Sequence, residues 1–172
     1  KTTAPERETR MNTAPLAGFV EELEEDRSSG ASELARRALE MLAEVADRDT
    51  ADTAKTFRRR VAEAATALQQ TRPSMAPLQN LLERFRRRLN TGEPGSVNDE
   101  RRIARQHAEN LIAHSRDAVE QAAAAAAGLP GVRGTVLTHS LSSTVQALAS
   151  RLHPRKTSFI VTESRPLNEG RT

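Results

Sequence analysis

Apolar side chains recur along most of this chain with the spacing of a single helix face, and the period shortens only near its end. Leu16, Phe19, Val20 and Leu23 fall at i, i+3, i+4 and i+7, which predicts a helix starting near Ala14-Pro15. Proline is harmless in a first turn, where its missing N–H has no intrahelical partner anyway. The acidic residues between Glu21 and Asp26 form the polar side of this helix, and Ser28-Ser29-Gly30 breaks it. A second helix carries Leu34, Ala38, Met41, Leu42 and Val45 and ends at Asp47-Arg48-Asp49. A third, expected to be capped by Thr50 or Asp52, carries Phe57, Val61, Ala64, Ala65 and Leu68. Arg72-Pro73 marks a boundary, because proline disfavours helical backbone at the residue before it, and Ser74 is the expected cap of a fourth helix with Leu78, Leu81, Leu82, Phe85 and Leu89 inward. Turn residues fill 90–96. A long helix then runs from Val97 to Ala127, with Ile103, Leu111 and Val119 expected inward and a six-alanine run at its end, before Gly128 and Pro130 stop it.

From Val132 the pattern changes. Val136-Leu137, next to Gly134, reads as a buried parallel strand, Ser142 to Leu152 as a helix with Val145, Leu148 and Leu152 inward, and Phe159-Ile160-Val161 as a second strand. Strand, helix and strand make a βαβ crossover, with both strands ending at one rim. The expected fold class is α + α/β: an N-terminal all-α domain followed by the first βαβ unit of a Rossmann-like parallel-sheet domain, left incomplete. The expected division is a disordered tail over 1–13, a helical domain over 14–129 and the start of the α/β domain over 130–172. Two strands do not make a stable sheet covered on both faces, so the 172 residues are expected to be a fragment, or a further segment is expected to complete the fold.

Composition narrows the function. Charged residues are 28% and hydrophobic ones 37%, as in a globular chain, but aromatics are 2%, which removes the stacking platforms of single-strand nucleic-acid binders. The net charge of +3 fits a phosphorylated ligand and equally fits solvated helix faces. Arg58-Arg59-Arg60 cannot share one helix face and are expected to be solvated rather than a nucleic-acid patch. The absence of cysteine excludes disulfides and thiolate chemistry and fits a reducing, cytoplasmic setting. No apolar run approaches the ~20 residues of a membrane span, and residues 1–12 carry no secretory h-region. His107 and His114 are seven apart with no third ligand, so no metal is expected; no cofactor is indicated either, since the chain lacks both G-x-G-x-x-G and a P-loop.

The candidate site is the rim of the βαβ unit. Ligands of open α/β sheets lie outside the carboxyl ends of the strands, where His139, Ser140, Ser142, Ser143 and Thr144 stand before the N-terminus of the next helix. Hydroxyls, backbone N–H groups and a helix dipole make an anion cradle, although Ser142 also suits a plain N-cap. Arg165, and further on Arg171, would bring positive charge from the second loop. A His139/Ser140 nucleophilic pair is not expected, because neighbours at a strand end point to opposite sides and no G-x-S-x-G elbow exists.

Residues 137–145 and 161–171 resemble the two signature loops of the translation initiation factor 2B alpha/beta/delta superfamily, which also holds methylthioribose-1-phosphate and ribose-1,5-bisphosphate isomerases. Ser29-Gly30-Ala31 and Arg72-Pro73 are similar to its two N-terminal landmarks. The resemblance covers nearly all of this chain but only the first half of a family member. It implies a sugar-phosphate pocket between a helical and a Rossmann-like domain, with Arg72 on the phosphate. It also implies homo- or hetero-oligomers built through a C-terminal domain absent here. By the same resemblance Ser140 stands at the isomerases' catalytic cysteine, Ser29 at a phosphate-binding arginine and Glu169 at a glutamine. Serine is a far weaker acid than a thiol, so the resemblance points to a regulatory, non-catalytic binder of a sugar or nucleoside phosphate. The alternative is an aldose-1-phosphate isomerase that uses another acid. Neither a membrane nor direct nucleic-acid contact is expected of such a protein.

Overall fold

The computed structural model describes residues 14–132, 134–139, 142–153 and 157–162. The helices are α1 (Ala14–Glu25), α2 (Ala31–Arg48), α3 (Ala54–Gln70), α4 (Ala76–Leu89) and α5 (Val97–Ala127), followed by β1 (Thr135–Thr138), α6 (Ser143–Leu152) and β2 (Ser158–Val161). The apolar stripes of the sequence close on one another. Leu23, Leu34, Leu39, Met41, Leu42, Phe57, Val61, Leu68, Leu78, Leu82, Phe85 and Leu89 are buried in one cluster, with Leu16, Phe19 and Val20 packed on its margin. Helix α2 is central, packing on α1, α3, α4 and α5.

The helix starts differ from expectation in two places. Thr53 caps α3, its hydroxyl accepting from the Thr56 N–H at 3.2 Å, because the Asp49 carboxylate already folds the preceding turn by accepting from the Ala51 N–H at 2.8 Å. Met75 occupies the cap of α4 without a side-chain bond, since the Arg72 carbonyl accepts from the Met75 N–H at 3.0 Å and Ser74 falls inside that turn. Helix α5 does begin on a strong cap, with Ser96 accepting from the Asp99 N–H at 3.1 Å.

The inward side of α5 is made of smaller residues than expected. Leu111 is buried, whereas Ile103 and Val119 are only partly so, and Ala104 and Ala108 are fully buried with Ile112 beside them. Alanine at i and i+4 lets the backbones of α5 and α2 approach closely.

The arginine triplet is divided rather than solvated. At ~100° per residue the three side chains point three ways. Arg59 lies at the surface with Glu63, at 3.0 Å. Arg60 is 5% exposed and faces the Asp49 carboxylate at 3.5 Å. Arg58 grips Glu100, itself 2% exposed, through two bonds of 2.8 and 2.9 Å, and also donates to the Gly92 carbonyl at 2.9 Å. The Gly95 N–H donates to the same carboxylate at 3.0 Å. The α4–α5 loop, where Gly92 takes a positive φ, is thereby fastened to α3.

The two strands are parallel, with Val136 opposite Phe159 and Leu137 opposite Ile160. They are not buried on both sides: Leu137 is 70% and Ile160 55% exposed, on one face, while Val136 and Phe159 on the other are half-buried. The unit is anchored through α6, which packs on α5. Leu152 is fully buried there, and Arg151 pairs with Glu120 of α5 at 2.7 Å. A mostly helical chain thus ends in a short parallel sheet, as a helical domain leading into an incomplete Rossmann-like unit requires. No described helix is long and apolar enough to cross a membrane.

Candidate functional site

The predicted residues fall into two clusters that share no member. The first is the rim of the sheet. The Thr162 hydroxyl, just past β2, donates to the His139 carbonyl just past β1 and lies 3.3 Å from the His139 Nδ1, so the two strand ends meet at one edge as parallel topology demands. Ser142 caps α6, its hydroxyl accepting from the Val145 N–H at 3.3 Å, and Ser143 is the first helical residue. The Ser142 hydroxyl therefore satisfies one of the N–H groups that the first turn of α6 leaves without an intrahelical partner. Ser140, Arg165, Glu169 and Arg171 lie outside the described residues.

The second cluster surrounds the turn between α1 and α2. The Asp26 carboxylate accepts from the Ser28 N–H at 2.7 Å, the Ser29 N–H at 2.8 Å and the Ser28 hydroxyl at 3.1 Å. These bonds, led by that of the Ser29 backbone, hold its pKa down at about 2. Gly30 is the N-cap of α2 and has no side chain to offer, and Ala31 opens the helix. Arg72 reaches this turn from the α3–α4 connection. Its Nε donates to the Leu23 carbonyl at 3.0 Å, and its Nη2 to the carbonyls of Leu23, Glu24 and Asp26 at 3.0, 3.1 and 2.5 Å. A guanidinium on the last carbonyls of a helix satisfies acceptors that have no partner within it and complements the negative dipole end. Arg72 thus closes α1 at the turn that leads to Ser29, and its Nη1 makes no hydrogen bond among the described residues.

A polar cleft of about 280 Å³ opens on this turn, lined by Asp26, Ser29, Glu33, Arg36 and Arg116 and by the Glu22–Arg37–Glu40 group. Arg37 donates to Glu22 at 2.7 and 3.1 Å and lies 3.5 Å from Glu40. Arg36 crosses to α5, where its Nη1 lies 3.4 Å from the Ser115 hydroxyl. The meeting of Arg36 and Arg116 at this cleft was not legible, because nothing in the helical period of α2 or α5 marks which side of each helix faces this turn. A second depression, of about 420 Å³ along α3, is floored by Ala62, Thr66 and Ala67 and contains none of the expected residues.

His107 takes a structural place. Its ring stacks on Phe85 with centroids 5.8 Å apart, and its Nε2 lies 3.4 Å from the Arg84 carbonyl. Burial first, then the charges of Arg88 and Arg84, push its pKa down.

A helical bundle running into a parallel βαβ unit, with polar loops at both strand ends, defines a two-part protein of the α + α/β class with a Rossmann-like C-terminal portion. The chain belongs to the initiation factor 2 subunit (IF-2B) family, whose model matches residues 27–172. It is similar to the Pyrococcus horikoshii OT3 translation initiation factor eIF-2B, at 25% identity and a TM-score of 0.72, over 90% of this chain and 52% of that one. It also shares its fold with the 5-methylthioribose 1-phosphate isomerase of the same organism, at 21% identity and a TM-score of 0.71, over 91% of this chain and 46% of that one. The chain spans about half the length of each of these structures. No curated protein matches it.

Proposed function

We propose that the protein binds a sugar phosphate or nucleoside phosphate where the helical bundle meets the βαβ unit, and that it does so without isomerising it. Family membership supports the reading, and one observation carries it: Arg72 donates to the Asp26 carbonyl at the turn whose Asp26 and Ser29 line a polar cleft. In this reading Arg72 contributes its Nη1, the α2 start contributes backbone N–H groups, and His139, Ser142 and Ser143 contribute from the rim; Ser140, Arg165 and Glu169, outside the described residues, belong to the same proposal. Ser140 holds the position at which the isomerases resembled by this chain place a cysteine. A hydroxyl donates a hydrogen bond well but yields its proton far less readily than a thiol, which suits binding rather than proton transfer. Assembly with like or related subunits and a cytoplasmic setting belong to the same proposal.

Calorimetry with ribose 1-phosphate and with AMP tests the reading. Heat of binding from at least one ester, no conversion of the aldose phosphate to a ketose, and weaker binding in Ser29→Asp are expected. If neither ester binds, the reading fails. If conversion occurs and Ser140→Ala abolishes it, the protein is an isomerase instead.

A further inference from the structure

The outer side of α1 departs from good helix chemistry, and nothing among the described residues accounts for it. Gly18 stands in the middle of the helix, exposed, where a side chain would meet no atom within 4 Å. Glycine inside a helix is destabilising, and it is tolerated where another surface must come close. The last turn has no basic residue, so Glu24 and Glu25 stand at the negative end of the helix dipole. Arg37 answers Glu22, but Glu21, Glu24 and Glu25 are exposed and in no ion pair among the described residues. Ala17, Gly18, Glu21 and Glu25 lie on one side of α1.

Helix α4 has the opposite balance. It carries four arginines and one carboxylate, where α1 carries four carboxylates and no basic residue. Arg86 and Arg87 share Glu83. Asn80, Arg84 and Arg88 are exposed at intervals of four. Arg88 donates to the Thr91 hydroxyl at 2.9 Å, and neither it nor Arg84 is in an ion pair among the described residues. Other exposed arginines do find carboxylates one turn away, Arg48 on Glu44 and Arg59 on Glu63.

We propose that these two faces dock on each other between copies of the chain, the outer side of α1 in one copy packing against the exposed side of α4 in a second. With the two helices parallel, the shared interval of four sets Glu21 opposite Arg84 and Glu25 opposite Arg88. Ala17 and Gly18 then lie beside Asn80, where the missing side chains let the backbones approach. Charge selects this occupant, since two α1 helices repel and α4 supplies the complement. Surface ion pairs are individually weak and screened by salt, so the contact is one of modest affinity. It gives the assembly named in the proposed function a surface in the helical bundle, and it needs no part of the sugar-phosphate reading.

Sedimentation velocity of the protein over a range of salt tests the contact. Self-association is expected at low salt and should weaken about tenfold or more as the salt is raised. Arg84→Glu with Arg88→Glu, and separately Glu21→Arg with Glu25→Arg, set like charges against each other and should each weaken association roughly a hundredfold. Mixing these two variants makes each α1 complementary to the other's α4 and should restore it. Gly18→Gln should also weaken association while the melting temperature stays level or rises, because glutamine is the better helix former. If the protein associates and either charge reversal or Gly18→Gln leaves that unchanged, or if mixing restores nothing, the inference is overturned and assembly through another surface stands. If the protein is monomeric at low salt, this inference and the assembly part of the proposed function both fall.

Discussion

The helical bundle and the βαβ unit are built from the same aliphatic residues, yet only the bundle closes around them. In the bundle each apolar stripe has an opposing stripe, so Phe57, Leu82 and Phe85 are fully buried. In the βαβ unit the paired Leu137 and Ile160 stay open, and the firm attachment is Leu152 with the Arg151–Glu120 bridge at α5. Burial of apolar area is the main source of stability, at about 25 cal/mol per Å², so the bundle is expected to fold as the stable unit and the sheet to depend on it.

Four substitutions test that contrast. Phe85→Ala removes a fully buried ring from the middle of the bundle and from its stack with His107; it should cost about 3–5 kcal/mol in urea unfolding and lower the stability of both regions. Glu100→Gln leaves Arg58 without its carboxylate in a largely buried place and should cost about 2–3 kcal/mol. The Arg58 hydrogen bonds, followed by that of the Gly95 N–H, hold the Glu100 pKa below its ordinary value. A carboxylate with a lowered folded pKa stabilises fully above its unfolded pKa, and that contribution fades as pH falls through the folded value. The parent protein should therefore lose stability on acidification below the ordinary glutamate range more steeply than the Gln variant, and parallel curves would remove Glu100 from the account.

The smaller effects belong to the βαβ unit. Ser142→Ala deletes the α6 cap and should cost about 1 kcal/mol, read by hydrogen exchange as faster opening of α6 while α2 to α4 keep their protection. Equal loss of protection in the bundle would show that the two regions unfold together. Leu137→Ser changes a side chain that is already in water and should move the melting temperature least, by an amount corresponding to less than about 0.5 kcal/mol. A large destabilisation by that change would mean that Leu137 is covered in solution.

Much of the fold was legible because the signals are local. Helices α1 and α5 begin and end where the stripes and turn residues indicate, and both strands and their parallel relation follow from the crossover pattern. The caps at Thr53 and Met75 were missed because an earlier side chain or carbonyl, from Asp49 or Arg72, had already shaped the turn. The candidate site was legible only in part. The turn at Ser29 and the rim at His139 and Ser142 are marked by residue type, whereas the use of Arg72 as a closure for α1, and the gathering of Arg36 and Arg116 at one cleft, leave no periodic trace.

By itself the sequence determined roughly where each helix and strand lies and which side of α1 to α4 is apolar, because side-chain period and turn chemistry act over a few neighbouring residues. The tertiary structure alone decided what the charges do. Arg58 and Glu100 are 42 residues apart in the chain, and Arg72 and Asp26 are 46 apart. Whether an arginine is solvated, buried on a carboxylate or closing a helix depends on which distant backbone comes within about 3 Å of it, and that is set by how the helices pack.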